Sequence, residues 1–295
     1  MKNITIIGSG TMGNGIAHCF AQNQFNVLLI DLFEDQLKKA ITTINKNLDR
    51  QVAKEFISNQ QKKEILDRIQ TTTVLEESLK EADLIIEAAS ENISIKEDLF
   101  KKIDALAPAH CILASNTSSI SITKLGSFTK RPEKVIGMHF MNPVPMMRLI
   151  EVIQGFKTDD DTLNQILSVS KKLDKTPLLS QDYPGFVANR ILLPMINEAI
   201  ETLFQGVAGV QEIDQIMKLG MGHPMGPLQL ADFIGLDVCL SVLNVLHDGF
   251  GNPKYAPCPL LVNMVQGGNF GVKSRVGFYD YRIDMKKPAV ASQFL

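Results

Sequence analysis

The sequence predicts an α/β chain in which an N-terminal Rossmann-type, doubly wound sheet precedes a C-terminal all-helical domain. Three observations carry this. Short β-rich runs alternate with amphipathic helical stretches from the start of the chain to about residue 180. A glycine turn, Gly8-Ser9-Gly10-Thr11-Met12-Gly13, sits between the first strand-like run and the first helical one. Beyond Gln181-Asp182-Tyr183-Pro184-Gly185 the strand signals vanish and only helical spacing remains.

The strand-like runs are 4–7, 25–30, 84–88, 111–114, 135–139, 149–153 and 177–179, with helical stretches such as 34–45, 96–106 and 160–173 between them. That alternation argues for βαβ units and a parallel sheet. Runs 27–30 and 84–88 are apolar apart from Glu87, as in strands covered on both faces. Residues 47–68 are polar and lysine-rich (Lys54, Lys62, Lys63), so the region of about 34–70 reads as a helical hairpin projecting into solvent. The first domain is therefore assigned to 1–183. The second is assigned to 184–281, with helices over 186–205, 210–219 and 228–247 and a kink at Pro194. Residues 282–295, with Lys286, Lys287 and Pro288, read as a loose tail.

Composition narrows the function classes. Of 295 residues 45% are hydrophobic and 21% charged, enough for a sizeable core. A net charge of -2 offers no broad basic surface to nucleic acid or to an anionic membrane. Cys19, Cys111, Cys239 and Cys258 form no CxxC pair and read as free thiols in a reducing cytoplasm. The five histidines form no cluster, so no metal is expected. Lys2 ahead of an apolar run imitates a signal peptide, but Gly8, Gly10, Gly13 and Gly15 interrupt the run and no cleavage site follows. No run approaches the roughly 18 apolar residues that span a bilayer.

The glycine turn has the context of a dinucleotide site. It follows an apolar strand and opens a helix. Gly8 suits the tight turn, Gly10 the approach of backbone to pyrophosphate, and Gly13 close helix–strand packing, with Thr11 and Met12 between them. The helix N-terminus offers N–H groups and a positive dipole end. Asp31 ends the second strand about 20 residues on, where a carboxylate accepts ribose hydroxyls and repels a 2′-phosphate, and no arginine follows at once. NAD is therefore expected. The alternative is a structural turn with Asp31 capping the helix after it.

In Gly137-Met138-His139-Phe140-Met141-Asn142-Pro143, His139 ends a strand ahead of a proline-stiffened turn, and Glu151 lies on the next strand-like run. The two side chains can meet across neighbouring strands. A histidine oriented by a carboxylate is a competent general base near neutral pH, as oxidation of an alcohol requires. Read alone, His139 also fits a structural histidine.

Gly8–Gly13, Ser115-Asn116-Thr117-Ser118-Ser119, His139-Phe140-Met141-Asn142-Pro143 with Glu151, and Pro184-Gly185-Phe186-Val187-Ala188-Asn189-Arg190 together resemble the L-3-hydroxyacyl-CoA dehydrogenase family, in particular its short bacterial members acting on 3-hydroxybutyryl-CoA. The resemblance runs on through Gly222-His223-Pro224-Met225-Gly226-Pro227 and Gly277-Phe278-Tyr279-Asp280-Tyr281. It implies NAD as cofactor, an acyl-CoA substrate and a homodimer formed through the helical domain. It gives His139 the role of base with Glu151 as its partner, Ser118 a hydrogen bond to the substrate's 3-oxygen, and Asn189 a grip on the substrate. Asn116 and Asn142 match positions near the nicotinamide and the histidine, and Glu91 and Lys96 positions on the cofactor's ribose and phosphate side. By residue type alone, Ser118 also fits a helix N-cap, Asn189 a polar spot on a buried helix, and Glu91 with Lys96 a solvated helix-face pair.

The polar hairpin resembles the family's coenzyme A-binding helices, with Arg50 and Lys54 as the candidate phosphate contacts. Two stretches depart from the family pattern. Where members often read V-K-K-G-K, this chain has Val52-Ala53-Lys54-Glu55-Phe56; where they read L-G-R-K-[ST]-G-x-G-F-Y, it has Phe270-Gly271-Val272-Lys273-Ser274-Arg275-Val276-Gly277-Phe278-Tyr279.

The expected activity is thus reversible, NAD-dependent oxidation of an (S)-3-hydroxyacyl-CoA to the 3-oxoacyl-CoA. A 3-hydroxyisobutyrate-type dehydrogenase has a similar glycine turn but uses a lysine and substrates without coenzyme A. A gulonate dehydrogenase shares the histidine motif without the CoA substrate. A non-catalytic NADH-binding protein is the alternative from another class.

Overall fold

The computed structural model describes residues 1–76 and 78–295, which divide into two compact units, Met1–Tyr183 and Pro184–Leu295.

The first unit is built on β1 (Asn3–Ile7), β2 (Asn26–Ile30), β3 (Ile69–Thr72), β4 (Leu84–Glu87), β5 (Ile112–Ser115), β6 (Val135–Phe140), β7 (Leu149–Gln154) and β8 (Thr176–Gln181). They form one sheet in the order β3-β2-β1-β4-β5-β6-β7-β8. The order reverses between β1 and β4, which creates the switch-point crevice where open α/β sheets bind ligands. The central strands β4 and β5 are buried at every residue, and Ile4, Ile6, Leu29, Leu84 and Ile86 join the core beneath.

One pairing departs from the expected parallel sheet. β7 runs antiparallel to β6, and β8 then runs parallel to β7. The connection over residues 141–148 is too short for a crossover helix, which takes a dozen residues or more, so the chain turns back on itself. β3 carries no strand signal in the sequence. It is a four-residue edge strand, Ile-Gln-Thr-Thr, with little of the apolar content that marks a covered strand.

The helices of this unit are α1 (Thr11–Gln22), α2 (Glu34–Ala53), α3 (Asn59–Asp67), α4 (Ile93–Leu106), α5 (Ile122–Gly126) and α6 (Asp160–Lys172). α2 and α3 make the expected hairpin. Leu37, Ala40, Ile44 and Leu48 form α2's buried stripe at helical spacing, while α3 buries Ile65 and starts with a capping box between Ser58 and Gln61. α6 carries Asp159 as N-cap, acids in its first turn and lysines in its last, which matches the helix dipole.

The second unit holds α7 (Ala188–Phe204), α8 (Val210–Met221), α9 (Pro227–Ile234), α10 (Leu236–Phe250) and α11 (Pro259–Gln266) around a core that includes Ile196, Ile200, Leu228, Leu243, Leu246 and Phe278. The single helix expected over 228–247 is two helices that meet at 97°. The break falls at Gly235, whose φ of +103° is a conformation other residues rarely adopt. Among the described residues no single helix is long and apolar enough to cross a membrane.

The unit is also not wholly helical, and residues 282–295 are not a loose tail. β9 (Tyr279–Asp280) pairs antiparallel with β10 (Ala289–Val290). Ala291 is buried, its N–H donates to the Phe278 carbonyl, and the Phe294 ring lies 5.7 Å from that of Phe278. Two acids organise this end. Asp214 accepts the Leu228 and Gln229 N–H groups at the start of α9 and the Tyr279 hydroxyl. Asp232 accepts the Phe278 and Tyr279 N–H groups and the Tyr281 hydroxyl.

Candidate active site

The nucleotide turn lies at the switch point. A Cβ on Gly8 would stand 2.6 Å from the Ala88 carbonyl oxygen after β4, and one on Gly13 only 1.7 Å from the Gly8 carbonyl oxygen. Those two glycines are required by the chain's own packing. Gly10 is different: it is exposed, and a Cβ there would meet nothing within 4 Å. No side chain caps α1, so its first N–H groups face this open space beside Thr11, also exposed, and the half-buried Met12. An uncapped helix N-terminus with room above its middle glycine fits a dinucleotide pyrophosphate.

Asp31 follows β2. Its Oδ2 accepts the Ser9 N–H at 2.8 Å and the Ser9 hydroxyl at 2.7 Å, and its Oδ1 accepts the Phe33 N–H at 3.1 Å. α2 starts with Phe33 as N-cap, so Asp31 is not that helix's cap. Its carboxylate is tied to the glycine turn instead, with about one of its four lone-pair positions left for a further donor. Leu32 and Phe33 beside it are exposed apolar side chains rather than the cations a 2′-phosphate would call for.

The antiparallel β6–β7 ladder pairs His139 directly with Glu151, and His139 Nδ1 lies 3.0 Å from Glu151 Oε2. Both are buried. Neighbouring packing holds the histidine's strand end. The Phe140 N–H donates to Asn116 Oδ1 at 3.0 Å, the Phe140 ring packs 6.5 Å from Phe20, and Val144 covers Gly15 so closely that a Cβ there would stand 2.9 Å away. Asn116 therefore sits beside His139. Asn142 is exposed just past the end of β6.

The Ser115–Ser119 turn is woven from its own polar side chains. The Thr117 N–H donates to the Ser115 hydroxyl, and the Thr117 hydroxyl to Glu91 Oε2 at 2.8 Å. The Ser118 N–H donates to Glu91 Oε1 at 3.0 Å. Ser118 is not a helix cap, since α5 is capped by Ser121. Glu91 and Lys96 are not a solvated pair: Lys96 is 1% exposed, its ammonium 2.6 Å from Glu87 and 3.9 Å from Glu91. Glu87 is a residue the motifs did not single out, although one acid in an otherwise apolar strand was a visible signal. Asp182, in the boundary stretch, belongs to no site motif either. It accepts the Ser121 hydroxyl and the Ile122 and Thr123 N–H groups, tying the end of the first unit to α5.

Asn189 lies on the first turn of α7, in the second unit, half-buried. Arg50 and Lys54 are exposed at the end of α2, with Arg50 donating to Asn47. Among the described residues no three His, Cys, Asp or Glu side chains converge as a metal site, and all four cysteines are buried thiols.

Residues 3–183 match the NAD binding domain of 3-hydroxyacyl-CoA dehydrogenase, and residues 185–281 its C-terminal domain. The chain belongs to the 3-hydroxyacyl-CoA dehydrogenase family. It is 51% identical to a 3-hydroxybutyryl-CoA dehydrogenase of Bradyrhizobium diazoefficiens, covering 96% of each chain. It is 50% identical to one of Clostridioides difficile, over 94% of this chain and 99% of the relative. The crystal structure of (S)-3-hydroxybutyryl-CoA dehydrogenase from Ralstonia eutropha superposes with a TM-score of 0.92 at 46% identity, over 95% of this chain and 99% of that one.

Membership gives meaning to the two departures. Glu55 and Arg275 stand where the family pattern has glycine, and both have positive φ, +58° and +66°. Glu55 follows the end of α2, and Arg275 closes the turn over Val272–Ser274. At these positions the backbone still takes the left-handed shape that glycine serves best. Nothing in the structure explains Val272. The family's Gly226 and Gly277 are also accounted for: a Cβ on either would collide with the Asp214 or Asp232 side chain.

Proposed function

We propose that this chain oxidises (S)-3-hydroxyacyl-CoA thioesters, short ones such as 3-hydroxybutyryl-CoA foremost, to 3-oxoacyl-CoA with NAD, and runs the reverse reaction. The observation that carries this is the buried His139 Nδ1–Glu151 contact at 3.0 Å, in the same sheet that carries the glycine turn. Nδ1–H donates to the carboxylate, so in the neutral imidazole Nε2 is the acceptor. Nε2 takes the proton of the substrate's 3-hydroxyl as the carbon–oxygen double bond forms. Glu151 stabilises the resulting imidazolium, and in reduction the same Nε2 returns the proton to the 3-oxygen. NAD, when bound, supplies the acceptor for the hydride that leaves the substrate's C3. Ser118 hydrogen-bonds the 3-oxygen, Asn189 grips the substrate, and Arg50 and Lys54 meet the carrier's phosphates. Gly8, Gly10, Gly13 and Asp31 hold the dinucleotide, with Glu91 and Lys96 on its ribose and phosphate side and Asn116 and Asn142 near the nicotinamide and His139.

The test is loss of NADH absorbance with acetoacetyl-CoA, set against free 3-oxo and 3-hydroxy acids. Turnover of the thioester alone supports the reading. Turnover of free acids alone supports the gulonate or 3-hydroxyisobutyrate type, and NADH binding without turnover a non-catalytic protein. The buried thiols suit a reducing cytoplasm. Exposed apolar side chains on α7 and α8, among them Ile191, Phe204, Ile216 and Leu219, support a homodimer, which light scattering at micromolar concentration checks.

A further inference from the structure

We propose that Glu87 is a positioning residue for Ser118, acting through Lys96, Glu91 and Ser115. Glu87 ends β4 and is fully buried. Its Oε1 accepts the Ala89 N–H at 2.7 Å and the Lys96 ammonium at 2.6 Å, and its Oε2 accepts the Ser115 hydroxyl at 2.6 Å. A charge sealed in the interior is costly, and an apolar pair of similar volume would commonly serve stability as well. What this pair adds is connection. From Lys96 one route runs to Glu91 at 3.9 Å and from there to the Ser118 N–H at 3.0 Å and the Thr117 hydroxyl at 2.8 Å. From the Ser115 hydroxyl a second route runs to the Thr117 N–H at 3.2 Å. The Glu87 carbonyl also accepts the Asn116 N–H at 2.8 Å. One residue thus holds the turn at its start and, through a single cation, at the residue that follows Thr117.

The charges explain the arrangement. Lys96 is one cation between two carboxylates, much nearer to Glu87 than to Glu91. With Glu87 holding the ammonium, Glu91 keeps its two oxygens for the Ser118 N–H and the Thr117 hydroxyl. Without that anion, Lys96 turns to Glu91 and draws it off the turn, and Ser118 loses its fixed backbone. The role rests on the proposed grip of Ser118 on the substrate's 3-oxygen.

The experiment compares Glu87→Gln with the native chain by hydrogen exchange and by kinetics. Gln keeps the volume and removes the charge. Expected is several-fold faster amide exchange in a peptide spanning 115–120, with the 160–172 helix unchanged. In acetoacetyl-CoA reduction kcat should fall about tenfold or more, with KM for NADH within about threefold, as for a misplaced substrate-holding group. If Glu87→Gln fails to fold, Glu87→Gln with Lys96→Met removes both charges at similar volume. With no cation left to draw Glu91 off the turn, that pair should melt near the native temperature and exchange over 115–120 at close to the native rate. Native exchange over 115–120 in folded Glu87→Gln overturns the proposal, and so does fast exchange with native kcat or fast exchange in the double variant. If the native chain does not turn over acetoacetyl-CoA, the functional reading fails, while the exchange result still decides whether Glu87 holds the turn.

Discussion

Glu151 stands directly opposite His139 on the β6–β7 ladder, with its Oε2 3.0 Å from His139 Nδ1. Such a pair fixes both the tautomer and the direction of the imidazole. His139→Gln should lower kcat by about 10²–10⁴-fold, the usual contribution of a general base. NADH affinity, read from nicotinamide fluorescence, should stay near native. Glu151→Gln should lower kcat by about a hundredfold with the histidine intact, because the amide can donate to Nδ1 and favour the wrong tautomer. Near-normal turnover in either folded variant removes the pair from the chemistry.

The glycines of the nucleotide turn should separate folding from binding. Gly13→Ala places a methyl 1.7 Å from the Gly8 carbonyl oxygen, so it should unfold or strongly destabilise the first unit. Gly10→Ala meets no atom within 4 Å and should melt like the native protein. Its NADH Kd should nevertheless rise about tenfold or more, because the methyl takes space the pyrophosphate needs. Equal effects of the two variants on melting, or native NADH affinity in Gly10→Ala, would contradict this division of labour.

Glu55 and Arg275 are non-glycine residues held at φ +58° and +66°. A left-handed conformation costs an L-residue about 1–2 kcal/mol, partly offset by glycine's greater freedom in the unfolded chain. Glu55→Gly and Arg275→Gly should each stabilise by about 1 kcal/mol in urea unfolding, and Glu55→Ala should give no such gain. A loss of stability in both glycine variants would show that the native side chains outweigh the backbone strain.

Asp232 sets a pH dependence. Burial pushes its carboxyl up to about 7, against the opposing donors from Tyr279, Phe278 and Tyr281 and with Asp214 adding to the rise. The folded state therefore holds a proton that the unfolded chain releases near pH 4. The stability from this group is complete below the unfolded pKa and is lost as pH rises through about 7. From about pH 5 to pH 7 the native chain should lose on the order of 1 kcal/mol per pH unit relative to Asp232→Asn. Parallel pH profiles for the two proteins would remove Asp232 as the cause.

The sheet, the helical hairpin and the His139–Glu151 contact were legible because each leaves a local mark. Runs 84–88 and 135–139 are apolar beyond what a loop tolerates, and Leu37, Ala40, Ile44 and Leu48 repeat at helical spacing. β3 was not legible, since an edge strand needs no apolar face and Ile-Gln-Thr-Thr has little. The break at Gly235 was written only as one glycine among apolar residues, where helical periodicity on either side concealed it. The ordered end of the chain was hidden for a similar reason. Ala289–Val290 becomes a strand only because Tyr279–Asp280 is there to pair with it.

By itself the sequence determined the Rossmann alternation, the glycine turn with its acid, and the histidine with a carboxylate one strand away. These depend on φ, periodicity and spacing over a few residues, which the chain states directly. The tertiary structure alone decided that Lys96 turns inward to Glu87 and that Asp31 binds Ser9. It also decided that Asp232 reaches the Phe278–Tyr281 turn. In each case the partners lie in different elements, and whether a charge is solvated or sealed depends on what the folded sheet lays over it. The residue type names the charge, while burial and the nearest donor set what the charge does.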